Sequence, residues 1–339
     1  MDETATGWST TGPRRTSRAT RDPAVVTPGH GAAVVSTQDE LLAAALPFLD
    51  AGLRAGDLVA LTCPPETVAL LSRELGERAH AVESEPRISL LGARAPDALT
   101  MCRRYLERAV DAGETGGSGR LRVVAEVDFG ADPADWREGQ RYESVTNRLL
   151  TDAVSAMCVY DEGRLPAKVV ESAAATHPHL VRGGAWTVNP EFQDPRAYVP
   201  SLPLPRTPIE DGEPVFAVDD APTLAGLRRQ LGAVLATLVA DRDRREELHL
   251  ATSEIAANAF RHGVPPVSAR VWADRGRLIC VISDRGTSYT DPFSGFTPAH
   301  GPDLSLGGMG LWLARKLWDH VDLLPTPEGL SVRLSTHLR

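Results

Sequence analysis

Between Ala32 and Tyr160, short apolar runs alternate with longer amphipathic stretches, and that alternation predicts strands separated by helices. Ala32-Ala-Val-Val35 reads as a strand. Thr37 to Leu53 repeats apolar positions at helical spacing, with Thr37 as the cap and Glu40 three positions on, a capping-box arrangement. Further strands are expected at Asp57–Thr62, Arg87–Leu91, Leu121–Val127 and Ala156–Tyr160, with helices at Glu66–Leu75, Asp97–Gly113 and Gln140–Ala153. The strand Leu121-Arg-Val-Val-Ala-Glu-Val127 is apolar on both faces, which suits a sheet covered on both sides. Strands alternating with helices point to a doubly wound parallel sheet. Ligands of such sheets bind at the carboxyl ends of strands, where Cys63, Glu126, Asp128 and Asp161 stand. Glu126 needs a partner if it is buried, either a ligand or Arg122.

Proline then punctuates the chain at 195, 200, 203, 205, 208 and 214. Proline favours extended, semi-rigid chain, so this stretch reads as a linker whose exposure would leave the two halves separable. From Val215 the order changes to a strand, two helices at Leu224–Leu238 and Arg244–Arg261, and a strand-rich segment that includes Leu278–Ile282, followed by an apparent helix Leu311–Trp318. That order is α+β. The expected division is a disordered tail at 1–28, a first domain at 29–198, a linker at 199–214 and a second domain at 215–339.

At 339 residues the chain can bury two ordinary cores. The balance of 36 basic against 45 acidic residues gives a net charge of −9. With no dense Lys/Arg stripe to displace phosphate counterions, nonspecific nucleic-acid binding is not expected. The one locally basic stretch, Arg14 to Arg21, reads as a solvated arm. The first 30 residues lack the apolar core of a signal peptide and no run of about 18 apolar residues occurs, so a soluble cytoplasmic protein without membrane contact is expected. Cys63, Cys102, Cys158 and Cys280 stand apart with no C-x-x-C pair, the pattern of buried reduced thiols. The separations of His30, Cys158, His177 and His179 match no recognised ligand spacing, so no metal set is expected from them. Gly113 to Gly119 lacks the G-K-[ST] ending of a phosphate loop and reads as a turn.

The densest chemistry lies in the last third. Each step of four residues overshoots a helical turn by only about 40°, so Glu254, Asn258 and His262 share one stripe and Ala251, Ile255 and Ala259 the next. One helix can therefore pack through the second stripe and aim carboxylate, amide and imidazole at a ligand through the first. Asp284 follows the apolar run Leu278–Ile282 and would sit at a strand end, where a carboxylate can accept the exocyclic N–H of a purine. Gly307, Gly308 and Gly310 precede the helix from Leu311, whose N-terminal N–H groups favour phosphate. His262-Gly263 reads as a helix end with glycine as a left-handed cap and the imidazole within reach of the phosphates. Together these segments read as an ATP site.

Glu254-Ile-Ala-Ala-Asn258-Ala-Phe-Arg-His262-Gly263, Asp284-Arg-Gly286 and Gly307-Gly308-Met-Gly310-Leu311 resemble the N, G1 and G2 boxes of the GHKL ATPase superfamily, and within it the small bacterial anti-sigma factor serine kinases. The resemblance spans roughly 215–339 and implies an α+β sandwich of the GHKL (Bergerat) type. It implies that Asn258 binds Mg2+, that Glu254 is the general base, that Asp284 and Gly286 recognise adenine, and that Gly308, Gly310, Leu311 and His262 line the rest of the ATP site. Where that family has a second glycine in its G1 box, this chain has Ser288. If that position takes positive φ, serine costs about 1–2 kcal/mol there and lowers nucleotide affinity. The lid from Asp291 to Gly307 is short, rich in Pro and Gly, and expected to order only with ATP.

Gly29-His30, Pro47-Phe48-Leu49 with Gly52-Leu53, Arg122 to Glu126, Tyr142-Glu143, Cys158 to Asp161 and His177-Pro178 resemble the sensory domain first described in methanogens and methylotrophs, called MEDS. That resemblance covers roughly 29–198 and implies a RecA-like core without a nucleotide site. The two resemblances imply a cytoplasmic regulatory kinase that phosphorylates Ser or Thr of a STAS-type anti-sigma factor antagonist under sensory control, with a sigma factor and a second copy of the chain as further partners. Two other readings stay open. One is a sensor histidine kinase, against which no dimerisation hairpin precedes the N box. The other is a non-catalytic, nucleotide-dependent binding module.

Overall fold

A computed structural model describes residues 29–149, 151–274, 276–287, 291–298 and 309–338. The tail 1–28, Ser288 and Gly307-Gly308 lie outside them. The first half forms a seven-stranded sheet built from β1 (His30–Val35), β2 (Leu58–Thr62), β3 (Val82–Ser84), β4 (Leu121–Glu126), β5 (Val154–Asp161), β6 (His179–Arg182) and β7 (Ala185–Val188). Its order is β3-β2-β4-β5-β1-β6-β7, parallel except for the β6–β7 hairpin. Helices α1 (Gln38–Ala55), α2 (Pro65–Leu75), α3 (Ala95–Glu114), α4 (Pro133–Leu149) and α5 (Ala167–Thr176) connect the strands. They cover both faces. Odd-numbered positions of β1, β2 and β5, such as Val35, Leu61 and Met157, pack on α1 and α2, while Ala32, Ala60 and Cys158 face the other side.

Two boundaries and one cap differ from the pattern reading. Arg87–Leu91 is not a strand. The edge strand is Val82–Ser84, and Pro86–Ile88 forms a 3-10 turn because Pro86 has no N–H to give a ladder. Helix α4 begins at Pro133 rather than Gln140, since proline suits the first helical turn. At α1, Thr37 Oγ1 accepts from Glu40 N at 3.2 Å, whereas the Glu40 carboxylate takes the N–H of Ser36.

The proline-rich stretch is folded, not extended. Helix α6 (Pro195–Ser201) starts on the Asp194 cap, and a 3-10 turn follows at Pro208–Asp211. Here the side chains win over the composition. Arg333 donates to Pro205 O at 2.8 Å and to Glu210 Oε2 at 3.1 Å, and Trp272 Nε1 donates to Gly212 O at 3.0 Å.

The second half is a five-stranded antiparallel sheet, order β11-β12-β10-β9-β8, from β8 (Phe216–Val218), β9 (Ser268–Ala273), β10 (Arg277–Asp284), β11 (His320–Thr326) and β12 (Gly329–His337). One face packs on α7 (Leu224–Leu238), α8 (Arg242–His262) and α9 (Gly310–Leu317) through Leu231, Leu248, Ile255, Cys280, Trp318 and Leu334. The other face carries alternate residues, Arg270, Trp272, Asp322 and Arg333, and the first half of the chain covers it. Asp322 Oδ2 accepts from Arg333 Nη2 at 2.7 Å, and its Oδ1 accepts from Arg141 Nη2 at 2.7 Å. Arg137 reaches Asp322 Oδ2 at 3.2 Å, and His320 meets Asp135 at 2.7 Å.

The start of the expected lid joins this interface. Phe296 is fully buried among Leu99, Tyr142, Val145 and Val199, with Arg315 stacked 4.3 Å from its ring centre. Phe296 thus anchors the segment Asp291–Pro298 against the first half of the chain. The rest of the lid lies outside the described residues.

Burial works against the charge of Asp322, but Arg141, Arg137 and Arg333 outweigh it and hold the carboxyl well below the usual carboxylate range. Such a group stabilises the fold above its unfolded pKa of about 3.9, and that contribution is lost as pH falls below it. Asp322→Asn is expected to cost about 3–5 kcal/mol at pH 7, because it removes the buried carboxylate that Arg137, Arg141 and Arg333 share and leaves only Glu138 beside Arg141 and Glu210 beside Arg333. Urea denaturation from pH 7 to pH 3 checks both points: the gap between wild type and variant should narrow below about pH 4. An unchanged midpoint at pH 7 would remove Asp322 from the stabilising role.

Candidate functional site

Helix α8 positions the candidate site. Ala251, Ile255 and Ala259 are buried toward the sheet, and the adjoining stripe presents half-buried Glu254 and Asn258 and exposed His262. Under its C-terminal half, the core-facing positions Leu278, Cys280 and Ile282 of β10 lead by strand parity to Asp284 at the strand end. These elements and α9 enclose a cavity of about 300 Å3. Asn258, His262, Asp284, Gly286 and Leu311 all line it, over apolar walls from Ile282, Leu323, Leu330 and Val332. An apolar cleft with a few convergent polar groups is the form of a small-molecule site, and a flat heteroaromatic base suits these walls. A wider cleft of about 450 Å3 lies between the halves beside Arg94, Asp135 and Asp319, but none of the motif residues lines it.

Asp284 is held by backbone. Its Oδ1 accepts from Gly286 N at 2.6 Å and from Val264 N at 3.3 Å. Among the described residues nothing donates to Oδ2, which keeps its lone pairs for an exocyclic amine. Gly263 has φ −80° and ψ −177°, so it is not the left-handed cap expected of it. It is glycine for space, because a Cβ there would stand 2.3 Å from Asp284 Cγ. Gly329, which the motif reading overlooked, crosses β10 even more closely: its φ is +151° and a Cβ would lie 1.9 Å from Asp284 O.

At the other end of the stripe, α9 begins against α8. A Cβ at Gly310 would meet Asn258 Nδ2 at 2.8 Å and Glu254 Cβ at 3.4 Å. Among the described residues no side chain caps α9, which leaves its first-turn N–H groups for an anion. Among the described residues no group hydrogen-bonds the Asn258 amide, which is an oxygen donor of the kind Mg2+ takes. The cradle beside Gly310 thus fits a hydrated cation and phosphates. Glu254 does not line the cavity. Its Oε1 lies 3.5 Å from Arg228 Nη2 of α7, a neighbour that no motif announces. Gly308 and Ser288 lie outside the described residues, and Arg285 is exposed.

At the strand ends of the first half, Glu126 is occupied by protein, while exposed Asp128 borders the wider cleft. Glu126 Oε1 accepts from Arg164 Nη1 at 2.9 Å and Oε2 from the Thr67 hydroxyl, while Arg122 pairs with Asp57 at 2.7 Å instead. Burial raises the Glu126 pKa against the pull of Thr67 and Arg164. Burial also pushes the Cys63, Cys102 and Cys280 thiols up to about 12, so these are unreactive packing residues.

Residues 29–178 match the family model described as the methanogen/methylotroph, DcmR sensory domain (MEDS), and residues 216–336 match that of the histidine kinase-like ATPase domain. The chain therefore carries a MEDS domain followed by a histidine kinase-like ATPase domain, the make-up of an ATP-binding regulatory protein. No curated protein matches it. Among solved structures it is similar to the RsbU and RsbW domains of Rv1364c from Mycobacterium tuberculosis, at 20% identity and a TM-score of 0.27, over 36% of this chain and 32% of that one. The match thus spans about a third of that protein's length. Among the described residues no helix is long and apolar enough to cross a membrane.

Gly263→Ala is expected to lower affinity for an adenine nucleotide by at least about tenfold, since its methyl enters the space of the Asp284 carboxylate while its backbone angles suit any residue. Isothermal titration beside a thermal melt separates the two effects: lost affinity with a retained cooperative melt is the expected pair. Asn258→Ala should remove the magnesium dependence of binding in the same titration.

Proposed function

We propose that residues 215–339 form a Bergerat-type ATPase unit that binds Mg-ATP and phosphorylates a serine or threonine of a STAS-type anti-sigma factor antagonist. Residues 29–198 would act as a sensory unit with a RecA-like core, joined to it through 199–214. The parallel order β3-β2-β4-β5-β1-β6 with helices on both faces supports that core. One observation carries the nucleotide reading: Asn258, His262, Asp284 and Gly286 converge on one cavity within the residues matched to the ATPase family.

In this reading adenine enters between Ile282, Leu323 and Val332, and Asp284 accepts its amino N–H. The triphosphate runs along α8 toward the N-terminus of α9. Asn258 holds Mg2+, which neutralises charge on the γ-phosphate. Glu254, next to Asn258 along the stripe and 3.5 Å from Arg228, takes the proton of the acceptor hydroxyl. The antagonist, a sigma factor and a second copy of the chain are the proposed partners, in the cytoplasm. His249 points its Nε2 at Arg228 O at 2.9 Å inside the ATPase domain, a position unsuited to phosphoryl acceptance and unfavourable to the histidine kinase alternative.

Incubating the full chain with γ-labelled ATP and candidate antagonists tests the proposal. Acid-stable label on a partner serine or threonine is expected; acid-labile self-label would favour a histidine kinase, and no transfer despite binding a non-catalytic module. Glu254→Gln should keep nucleotide affinity and lower transfer about 10²–10⁴-fold. Transfer at the full rate would remove the general-base role.

A further inference from the structure

Four buried side chains of the sensory half meet at one point that neither the fold nor the nucleotide site uses. His30 opens β1, Glu143 lies on α4, Cys158 on β5, and His177 follows α5. His30 Nε2 is 3.3 Å from Cys158 Sγ and 3.2 Å from Glu143 Oε2. His177 Nε2 and Cys158 Sγ each lie 3.5 Å from the same Glu143 oxygen. All four donor atoms fall within 4.8 Å of one another. With metal–ligand distances of about 2.0–2.3 Å, the edges of a tetrahedral N, S, O site are about 3.3–3.7 Å, close to the four separations of 3.2–3.5 Å given above, and the other two stay within 4.8 Å.

The surroundings orient both imidazoles with Nε2 toward the cluster. His177 Nδ1 lies 3.1 Å from Ala173 O, a carbonyl that can only accept, so the proton sits on Nδ1. Among the described residues its fully buried Nε2 has no hydrogen-bond partner closer than Glu143 Oε2 at 3.5 Å, and in the neutral ring it bears a lone pair. His30 Nδ1 lies 3.0 Å from Asn147 Oδ1. Asn147 Nδ2 faces three carbonyls, of Glu143 at 3.0 Å, Ser144 at 3.3 Å and Thr176 at 2.8 Å, so its Oδ1 is the acceptor and His30 Nδ1 the donor. His30 Nε2 therefore also turns a lone pair inward. Two lone pairs facing a carboxylate across 3.2–3.5 Å call for positive charge between them, either a metal ion or a proton that makes an imidazole an imidazolium. Backbone carbonyl and amide partners behind metal-binding histidines are the usual orienting shell of such sites.

We propose that His30, Glu143, Cys158 and His177 bind one divalent transition-metal ion of the zinc class. Two imidazoles, a thiolate and a carboxylate in tetrahedral array select Zn2+ or Co2+ over Mg2+ and Ca2+, which take oxygen ligands. Binding converts the Cys158 thiol to a thiolate and releases its proton to solvent. A cavity of about 40 Å3 borders His30, Glu143 and Cys158, with room for a water at the metal. His179 is not a ligand, since its Nδ1 turns toward His30 O at 3.3 Å. Asn147 is a positioning residue.

The test uses the full chain, freed of any histidine tag and stripped with a chelator, then titrated with Co2+. Retention of about one cobalt per chain, with strong visible bands of tetrahedral cobalt and a near-ultraviolet thiolate-to-cobalt band, is the expected result. Cys158→Ser should lose the near-ultraviolet band, whereas Cys63→Ser should keep it. Asn147→Ala should keep the band and weaken affinity about 10–100-fold. X-ray absorption on the zinc-loaded wild type needs no variant: one sulfur among four or five scatterers supports the site, and a shell of oxygen and nitrogen alone overturns it. Failure to retain cobalt, or a thiolate band that survives in folded Cys158→Ser, also overturns it.

Discussion

A carboxylate only 1% exposed, Asp322, carries the charge balance of three arginines drawn from two parts of the chain. Arg333 reaches it from the neighbouring strand, while Arg141 and Arg137 reach it from α4. Charges so far from water persist only when paired and hydrogen-bonded, so the outer face of the C-terminal sheet is committed to being covered. Alternation along β11 and β12 ties this to the other face. Asp322 and Arg333 point to the N-terminal half, while Leu323 and Val332, one residue away in each strand, line the cavity. The interface and the candidate nucleotide site thus share two strands.

Around that centre the contacts between the halves are mainly ionic. Arg94 meets Asp319, Lys316 meets Asp97, and Arg277 meets Asp132. Phe296 supplies the apolar anchor. Exposed or half-exposed pairs of this kind contribute little each, so the buried Asp322 group and Phe296 dominate. Helix α4 joins the two dominant contacts to the buried cluster of the first half. Arg137 and Arg141 hold Asp322, Tyr142 packs on Phe296, and Glu143 faces the His30, Cys158 and His177 cluster.

The candidate nucleotide site works by exclusion as much as by contact. Gly263, Gly310 and Gly329 bring backbone to where side chains cannot stand, which lets Asp284 and Asn258 present their polar atoms at an apolar cavity. Hydrogen bonds from Gly286 and Val264 fix the Asp284 carboxylate before any ligand arrives, so little ordering remains to oppose binding.

What the sequence determined by itself is whatever depends on near neighbours. The 3.6-residue repeat put Glu254, Asn258 and His262 on one stripe of α8, and strand parity ended β10 at Asp284, because helix and strand periods are local properties. Alternating strands and helices likewise foretold a largely parallel sheet. Tertiary structure decided the rest. Leu323, Leu330 and Val332 become walls of the cavity only because β12 pairs with both β10 and β11. Proline content suggested an extended 195–214, but Arg333, more than a hundred residues away, holds its carbonyl and carboxylate in place. His30, Glu143, Cys158 and His177 show no ligand spacing because each comes from a different element. Only the packing of α4 and α5 beside β1 and β5 brings their polar atoms within 4.8 Å.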